Sequence, residues 1–187
     1  MDRNTHKGFT LIELLIAVAI LGVLVAIAAP SMFSILEGRK LKGAADNLYA
    51  DMMFAKTEAI KRNNEVILSF GSSGSDWCYG ISEDANCDCT NALLATPTAT
   101  TCTIDGIEKV VTNSDYGETT LTAAFPGSSP EETGFEPLRG FSENSSGSFS
   151  NGTATFTNGG REAAVVVSTL GRVKICSDTS FGGYEPC

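Results

Sequence analysis

KGFTLIELLIAVAILGVLVAIAAP, residues 7–30, is the stretch on which the reading of the whole chain turns. Within it, residues 9–29 form a run of 21 positions interrupted only by Thr10 and Glu13, and Pro30 closes it. As a helix, at about 1.5 Å per residue, such a run measures roughly 31 Å, enough to cross the hydrocarbon core of a bilayer. The eight residues before it are polar, with Arg3 and Lys7 opposed by Asp2. That bias predicts a cytoplasmic N-terminus, with everything after Pro30 on the far side of the membrane. The run is longer than the apolar core of a usual secretory signal, but Ala26, Ala28 and Ala29 imitate a small-residue cleavage site, so a removed signal peptide is the competing reading. Glu13 is the anomaly. A carboxylate at the bilayer centre costs roughly 2.5 to 3.5 kcal/mol, so Glu13 must either lie away from the midplane, near the headgroups, or meet a partner.

The rest of the chain limits what that helix can serve. At 187 residues there is room for one ordinary domain and an appendage, and the 42% apolar content is concentrated in the first thirty residues. The net charge of -9 is unevenly placed: residues 71–160 hold twelve acids against two bases, Lys109 and Arg139. Such a surface repels nucleic acid and anionic lipid.

Beyond Pro30 the helical period continues in amphipathic form. Leu41, Ala45, Leu48, Met52, Ala55 and Ala59 recur at spacings of three and four, while Lys42, Asp46, Asp51, Lys56 and Lys61 fall mostly on other faces. This half is expected to lay one stripe on a globular core and to end at Asn63 and Asn64. Short β-rich pieces follow, EVILSF, WCYGIS, GIEKVV, TTLTAAF, TATFT and AAVVVS, separated by Gly, Ser, Asn and Pro clusters at spacings that suit antiparallel strands. SENSSGSFSNGT (142–153) is low in complexity and reads as a loop or hairpin.

KGFTLIELLIAVAILGVLVAIAAP closely resembles the leader and first helix of type IV pilins and type II secretion pseudopilins. The resemblance implies cleavage after Gly8 by a prepilin peptidase and N-methylation of the new terminal residue, Phe9. It implies that Glu13 is the glutamate that pairs with the terminal amine of a neighbouring subunit in a filament core, and that Gly22 and Pro30 are helix-loosening positions. Two charges that are each costly in an apolar bundle become tolerable together. NLYADMMFAKTEAIKRNNEVILSF (47–70), with AIKRN at 59–63, and STLGRVKIC (168–176) are similar to motifs of the FimT, FimU and GspH minor pilins and pseudopilins. GFEPLRG (134–140) is a weaker likeness to a turn of that subgroup. The implied architecture is α+β and type IV pilin-like: a leader at 1–8, a membrane-spanning and filament-core helix at 9–30, its amphipathic continuation at 31–64, and a β-rich extracytoplasmic domain with disulfides at 65–187.

Six cysteines, Cys78, Cys87, Cys89, Cys102, Cys176 and Cys187, all lie on the expected outer side, and an even count there reads as disulfides in an oxidising compartment. A Cys176–Cys187 bond would resemble the disulfide-bounded C-terminal loop of many type IV pilins and would keep the tail from fraying. The pairing of the other four stays open. Metal binding through the Cys-Asp-Cys at 87–89 is the sharper alternative, but no histidine follows it and an oxidising location disfavours free thiolates.

Catalysis finds little to work with. The one histidine, His6, lies in the leader, so no Ser/His/Asp or Cys/His arrangement would survive processing. Glu83, Asp84, Asp88, Glu131 and Glu132 sit in Gly/Ser-rich loops and read as solvated faces, with a calcium site as the exception. There is no phosphate-binding loop, so energy for assembly must come from a separate ATPase. Two function classes remain. One is a structural subunit, a minor pilin or the related secretion pseudopilin, without cofactor or metal, whose partners are other subunits, the prepilin peptidase and an inner-membrane assembly platform. The other is a DNA-binding pilin that would use Arg161, Arg172 and Lys174, but Glu162, Asp178 and Glu185 share that region and no basic stripe forms.

Overall fold

The structure is a computed structural model and describes residues 9–83, 87–94, 96, 99–125, 131–144, 146–178 and 181–187, without the side chains of 29–31. The expected leader, with His6 and Gly8, and the side chain of Pro30 therefore lie outside the described residues. Two compact units are distinguished, Met1–Leu36 and Glu37–Cys187.

One helix, α1 (Leu11–Arg62), supplies the first unit and opens the second. Its end is built by the local sequence. Asn63 takes a left-handed conformation (φ 51°) and the Asn64 amide donates to the Ala59 carbonyl, the bond that closes a Schellman-type C-terminus. Lys61 and Arg62 in the last turn face the negative end of the helix dipole. Arg62 also ties this end to the rest of the domain. Its guanidinium donates to Glu58 at 2.6 Å, to Glu83 at 2.7 Å and through two nitrogens to Asp105 at 2.6 Å. Bonding to Arg62, then to Lys61, holds the Glu58 carboxyl below its ordinary range.

The chain then enters a five-stranded sheet of order β5-β2-β1-β7-β8, all neighbours antiparallel: β1 (Val66–Ser73), β2 (Asp76–Ser82), β5 (Val110–Thr112), β7 (Glu132–Phe135) and β8 (Ser142–Glu143). A four-stranded antiparallel sheet follows the order β11-β10-β9-β6: β6 (Thr120–Ala124), β9 (Gly152–Asn158), β10 (Arg161–Val167) and β11 (Val173–Cys176). A small hairpin, β3 (Thr103–Ile104) and β4 (Ile107–Glu108), stands beside them. Each apolar piece expected to be extended lies on a strand, but GIEKVV is divided between β4 and β5 at Lys109. In the last motif β11 starts at Val173, and Gly171, with a positive φ of 68°, lies in the turn before it. GFEPLRG contributes Gly134 and Phe135 to β7, and only then turns, with the Gly140 amide donating to Glu136 O.

The six apolar residues of the α1 stripe, Leu41, Ala45, Leu48, Met52, Ala55 and Ala59, are fully buried. They share one core with Val66, Leu68 and Phe70 of β1, Trp77, Tyr79 and Ile81 of β2, and Phe156, Ala163 and Val165 of the second sheet. Trp77 is the hub. Its indole N–H donates to Thr119 O at 2.6 Å, and its ring meets Phe156 edge-on at 5.3 Å and stacks on Tyr116 at 5.8 Å.

Because strand side chains alternate, the residues between these core positions face outward. On β2 they are Cys78, Gly80 and Ser82, and here the chain builds a second, smaller core. Cys78 is bonded to Cys89 and Cys87 to Cys102, all four buried, with Leu93 and Val110 packed against them. Gly80 makes the room: a Cβ there would stand 2.3 Å from Cys102 Sγ and 2.7 Å from Cys87 Sγ. The third bond joins Cys176 to Cys187. The loop it closes reaches α1, where Lys42 lies over the Tyr184 ring and the Tyr184 hydroxyl donates to Asp46 at 2.7 Å.

Substituting Gly80 by Ala puts a methyl where the Cys87–Cys102 bond runs. The variant is expected to show free thiols at those two positions in non-reducing peptide maps and to lose about 2 to 4 kcal/mol of domain stability. Complete oxidation with an unchanged melting temperature would refute this account of the glycine.

Candidate functional site

From residue 9 to residue 28 the first unit is apolar on every face apart from Thr10 and Glu13. Phe9, Leu11, Ile12, Leu14, Leu15, Ile16, Val18, Ile20, Leu21, Val23, Leu24, Val25 and Ile27 are all exposed within this chain. Among the described residues α1 is the one helix long and apolar enough to cross a membrane. A helix apolar all round requires an apolar environment, either lipid or other helices.

Polar chemistry on this surface is confined to its start. Thr10 stands just before the first helical residue, and the Glu13 amide donates to its hydroxyl at 3.3 Å. Thr10 and Glu13 thus occupy the positions of a capping box, Thr at the N-cap and Glu three residues on. This role was not part of the sequence reading, although the Thr-x-x-Glu spacing was its signal. The Glu13 side chain is exposed and its carboxylate has no partner among the described residues. It sits in the first turn, where the positive end of the helix dipole favours an anion. Phe9, 84% exposed, lies immediately before this turn. Gly22 is in mid-helix with nothing within 4 Å of the place a Cβ would occupy, so no contact in this unit requires a glycine there. The helix passes through Pro30, which cannot donate a backbone hydrogen bond to the preceding turn.

The globular unit offers a different surface. Between α1 and β2 lies a cleft of about 310 Å³ lined by Asn47, Asp51, Tyr79, Ile81, Lys109 and Val110, among others. The Tyr79 hydroxyl donates to Asp51 at 2.8 Å. Burial pushes the Asp51 carboxyl up, against the opposing effects of Tyr79 and Lys109, and burial likewise raises Tyr79. These groups satisfy one another and give a tyrosine lock on the helix, with no nucleophile and base in the arrangement that acyl or phosphoryl transfer needs. The described residues contain no group of three His, Cys, Asp or Glu side chains placed to hold a metal ion, and every cysteine is in a disulfide. Of the three bases considered for DNA, Arg161 stacks over the Phe181 ring at 5.8 Å, while Arg172 and Lys174 are exposed.

What remains as a candidate site is an assembly surface: an apolar helix with one carboxylate in its first turn, carried by a cross-linked β-domain. Comparison with known proteins gives it a family. A sequence model of the prokaryotic N-terminal methylation motif matches residues 3–29, and that of the type II transport protein GspH matches residues 44–171, more than half of the chain. Among solved structures, the chain is similar to the type IV minor pilin FimU of Pseudomonas aeruginosa (strain PAO1) in two crystal forms. One shows 16% identity and a TM-score of 0.45 over 72% of this chain and 91% of that one; the other shows 17% and 0.44 over 73% and 88%. The assignment rests on the sequence match, and by it the chain belongs to the GspH family of pilin-like structural subunits.

Proposed function

We propose that the chain is a minor type IV pilin, cleaved after Gly8, methylated on Phe9, and inserted into a filament through the Glu13 carboxylate. The observation that carries this reading is the exposed Glu13, without a partner among the described residues, in the first turn of a helix whose residues 11–28 are otherwise apolar. Pairing with the cationic amine of a neighbour's Phe9 would compensate both charges, and neighbouring helices would cover the apolar faces. Before assembly the same segment, residues 9–30, holds the protein in the inner membrane, N-terminus in the cytoplasm, and residues 65–187 stand outside the cytoplasm. The three disulfides agree with an oxidising compartment. Other pilin subunits, the prepilin peptidase and an inner-membrane assembly platform are the partners this role requires.

A second reading, a type II secretion pseudopilin, is favoured by the description of the matching family. The C-terminal loop closed by Cys176 and Cys187 weighs toward the pilus. Deleting the gene separates the two: loss of surface pili with normal protein secretion supports the pilus, and the reverse supports secretion.

Two outcomes test the assembly role itself. Intact mass analysis of protein recovered from membranes of a strain with active prepilin peptidase is expected to show a chain beginning at methylated Phe9. A chain beginning at Met1, or just after Ala29, would contradict it. Replacing Glu13 by Ala leaves Gly8 untouched and makes the segment more apolar, so insertion and cleavage are expected to persist. Incorporation into filaments should fall sharply, because the neighbour's amine loses its counter-charge, a loss of about 3 to 5 kcal/mol for a buried pair. Immunoblots of inner membrane and sheared filaments, beside a count of assembled filaments, measure it; equal incorporation and equal assembly would leave only the headgroup position as the explanation of Glu13.

A further inference from the structure

Gly134, in β7, lies opposite Ile67 of β1 and Glu143 of β8. Alternation puts these residues, with Glu132 two positions earlier and Ser69 opposite it, on the outer face of the five-stranded sheet. The space beside Gly134 is taken by Glu65, whose Oε1 is 3.1 Å from where a Cβ of residue 134 would stand. Register places Glu143 of β8 opposite this glycine and Glu132 of β7 two residues before it, on the face where Glu65, from the junction of α1 and β1, fills the space. The setting is dry. Glu132 and Ile67 are buried, and so is Ser69, whose hydroxyl has no hydrogen-bond partner among the described residues. Glu65 Oε1 is likewise buried without a partner.

A buried acceptor with no donor is destabilising, and among the described residues the charges that act on Glu65 are carboxylates. Lys61 and Arg62, which precede Glu65 on the helix, are engaged by Glu58, and Arg62 also by Glu83 and Asp105. Arg139, the base whose charge acts on Glu143, donates to Glu136 at 3.1 Å. The missing donor can therefore come from the carboxyl groups themselves, if one of them holds a proton.

We propose that this cluster is a proton-operated latch: a proton on Glu65 fastens the edge strand β8 to the helix junction and β7, and its loss loosens that edge. Burial, then the charges of Glu143 and Glu132, push Glu65 up from the ordinary 4.5 to about 7. Burial and Glu136 raise Glu143 as well, against Arg139. The folded state thus binds this proton more tightly than the unfolded chain does. The stability it contributes is complete below about 4.5, declines as pH rises through about 7, and is gone above. The strain falls first on β8, which has two residues and a single neighbouring strand, and on the turn behind it, held by the Glu143–Phe149 bridge. This latch belongs to the globular unit and holds whichever filament the chain enters.

The test is urea unfolding of the full-length protein in detergent micelles from pH 5.5 to 8.5, followed by the fluorescence of Trp77, the only tryptophan and a core residue. With His6 the only histidine, no other imidazole contributes in this range. The unfolding constant of the wild type is expected to rise on the order of tenfold across it. Glu65→Gln should flatten the profile and be the more stable protein at pH 8.5. Amide exchange over residues 142–150, corrected for the intrinsic effect of pH, should accelerate at pH 8.5 in the wild type alone. Should Glu65→Gln fail to fold, Glu143→Gln removes one of the charges that raise Glu65 and must reduce the slope. A flat wild-type profile, or either variant with the wild-type slope, overturns the latch.

Discussion

Everything in the globular unit depends on the burial of one helical stripe. Leu41, Ala45, Leu48, Met52, Ala55 and Ala59 lie in the common core of both sheets, and neither sheet could bury its inner face without them. Alternation of small and large side chains along this stripe lets the backbone come close at the alanines and fill space at Leu48 and Met52. The aromatic hub around Trp77 then forms on the other side, with its one polar atom satisfied by Thr119. The same helix therefore solves two opposite solvation problems. Its second half buries a stripe in its own domain, and the side chains of residues 9–28 are exposed among the described residues.

That asymmetry is also what the chemistry reflects. In the globular unit several charged groups of the helix meet partners: Asp51 with Tyr79, Asp46 with Tyr184, Glu58 with Arg62. In the apolar unit Glu13, among the described residues, has nothing beyond its own first turn. The contrast lies in exposure: these side chains meet partners within the domain, whereas the Glu13 carboxylate is exposed on an apolar surface.

The helix and its buried stripe were legible because a 3.6-residue period and a 21-residue apolar run are strong local signals. The strands rich in Val, Ile and Thr were legible for the same reason. What was not legible depended on partners far away in the chain. β7 was hidden in GFEPLRG because its extended form is imposed by pairing with β1, while Gly134 and Pro137 read locally as turn residues. β3 and β8 have two residues each, too few to carry a period. The pairing of Cys78 with Cys89 and of Cys87 with Cys102 follows from which faces of β2 and the 87–102 loop meet over Gly80, and spacing alone left it open. At the candidate site the sequence marked Glu13 and Phe9 but passed over Thr10, whose capping bond orients the turn that carries both. The carboxylates around Gly134 come from positions 65, 132 and 143, and only the sheet register brings them together.

The bracing of α1 within the globular unit has a mechanical meaning. Near its entry the helix is held by Tyr184 through Lys42 and Asp46, and near its end by the fourfold engagement of Arg62 with Glu58, Glu83 and Asp105. The strap that carries Tyr184 is anchored covalently by Cys176, itself on a strand of the second sheet. A tensile load arriving along the helix therefore meets contacts about five turns apart, one set on a strap that the disulfide ties to the second sheet and the other on the segments that follow β2 and β3. A subunit built in this way transmits force from its helix into its domain without relying on any single bond.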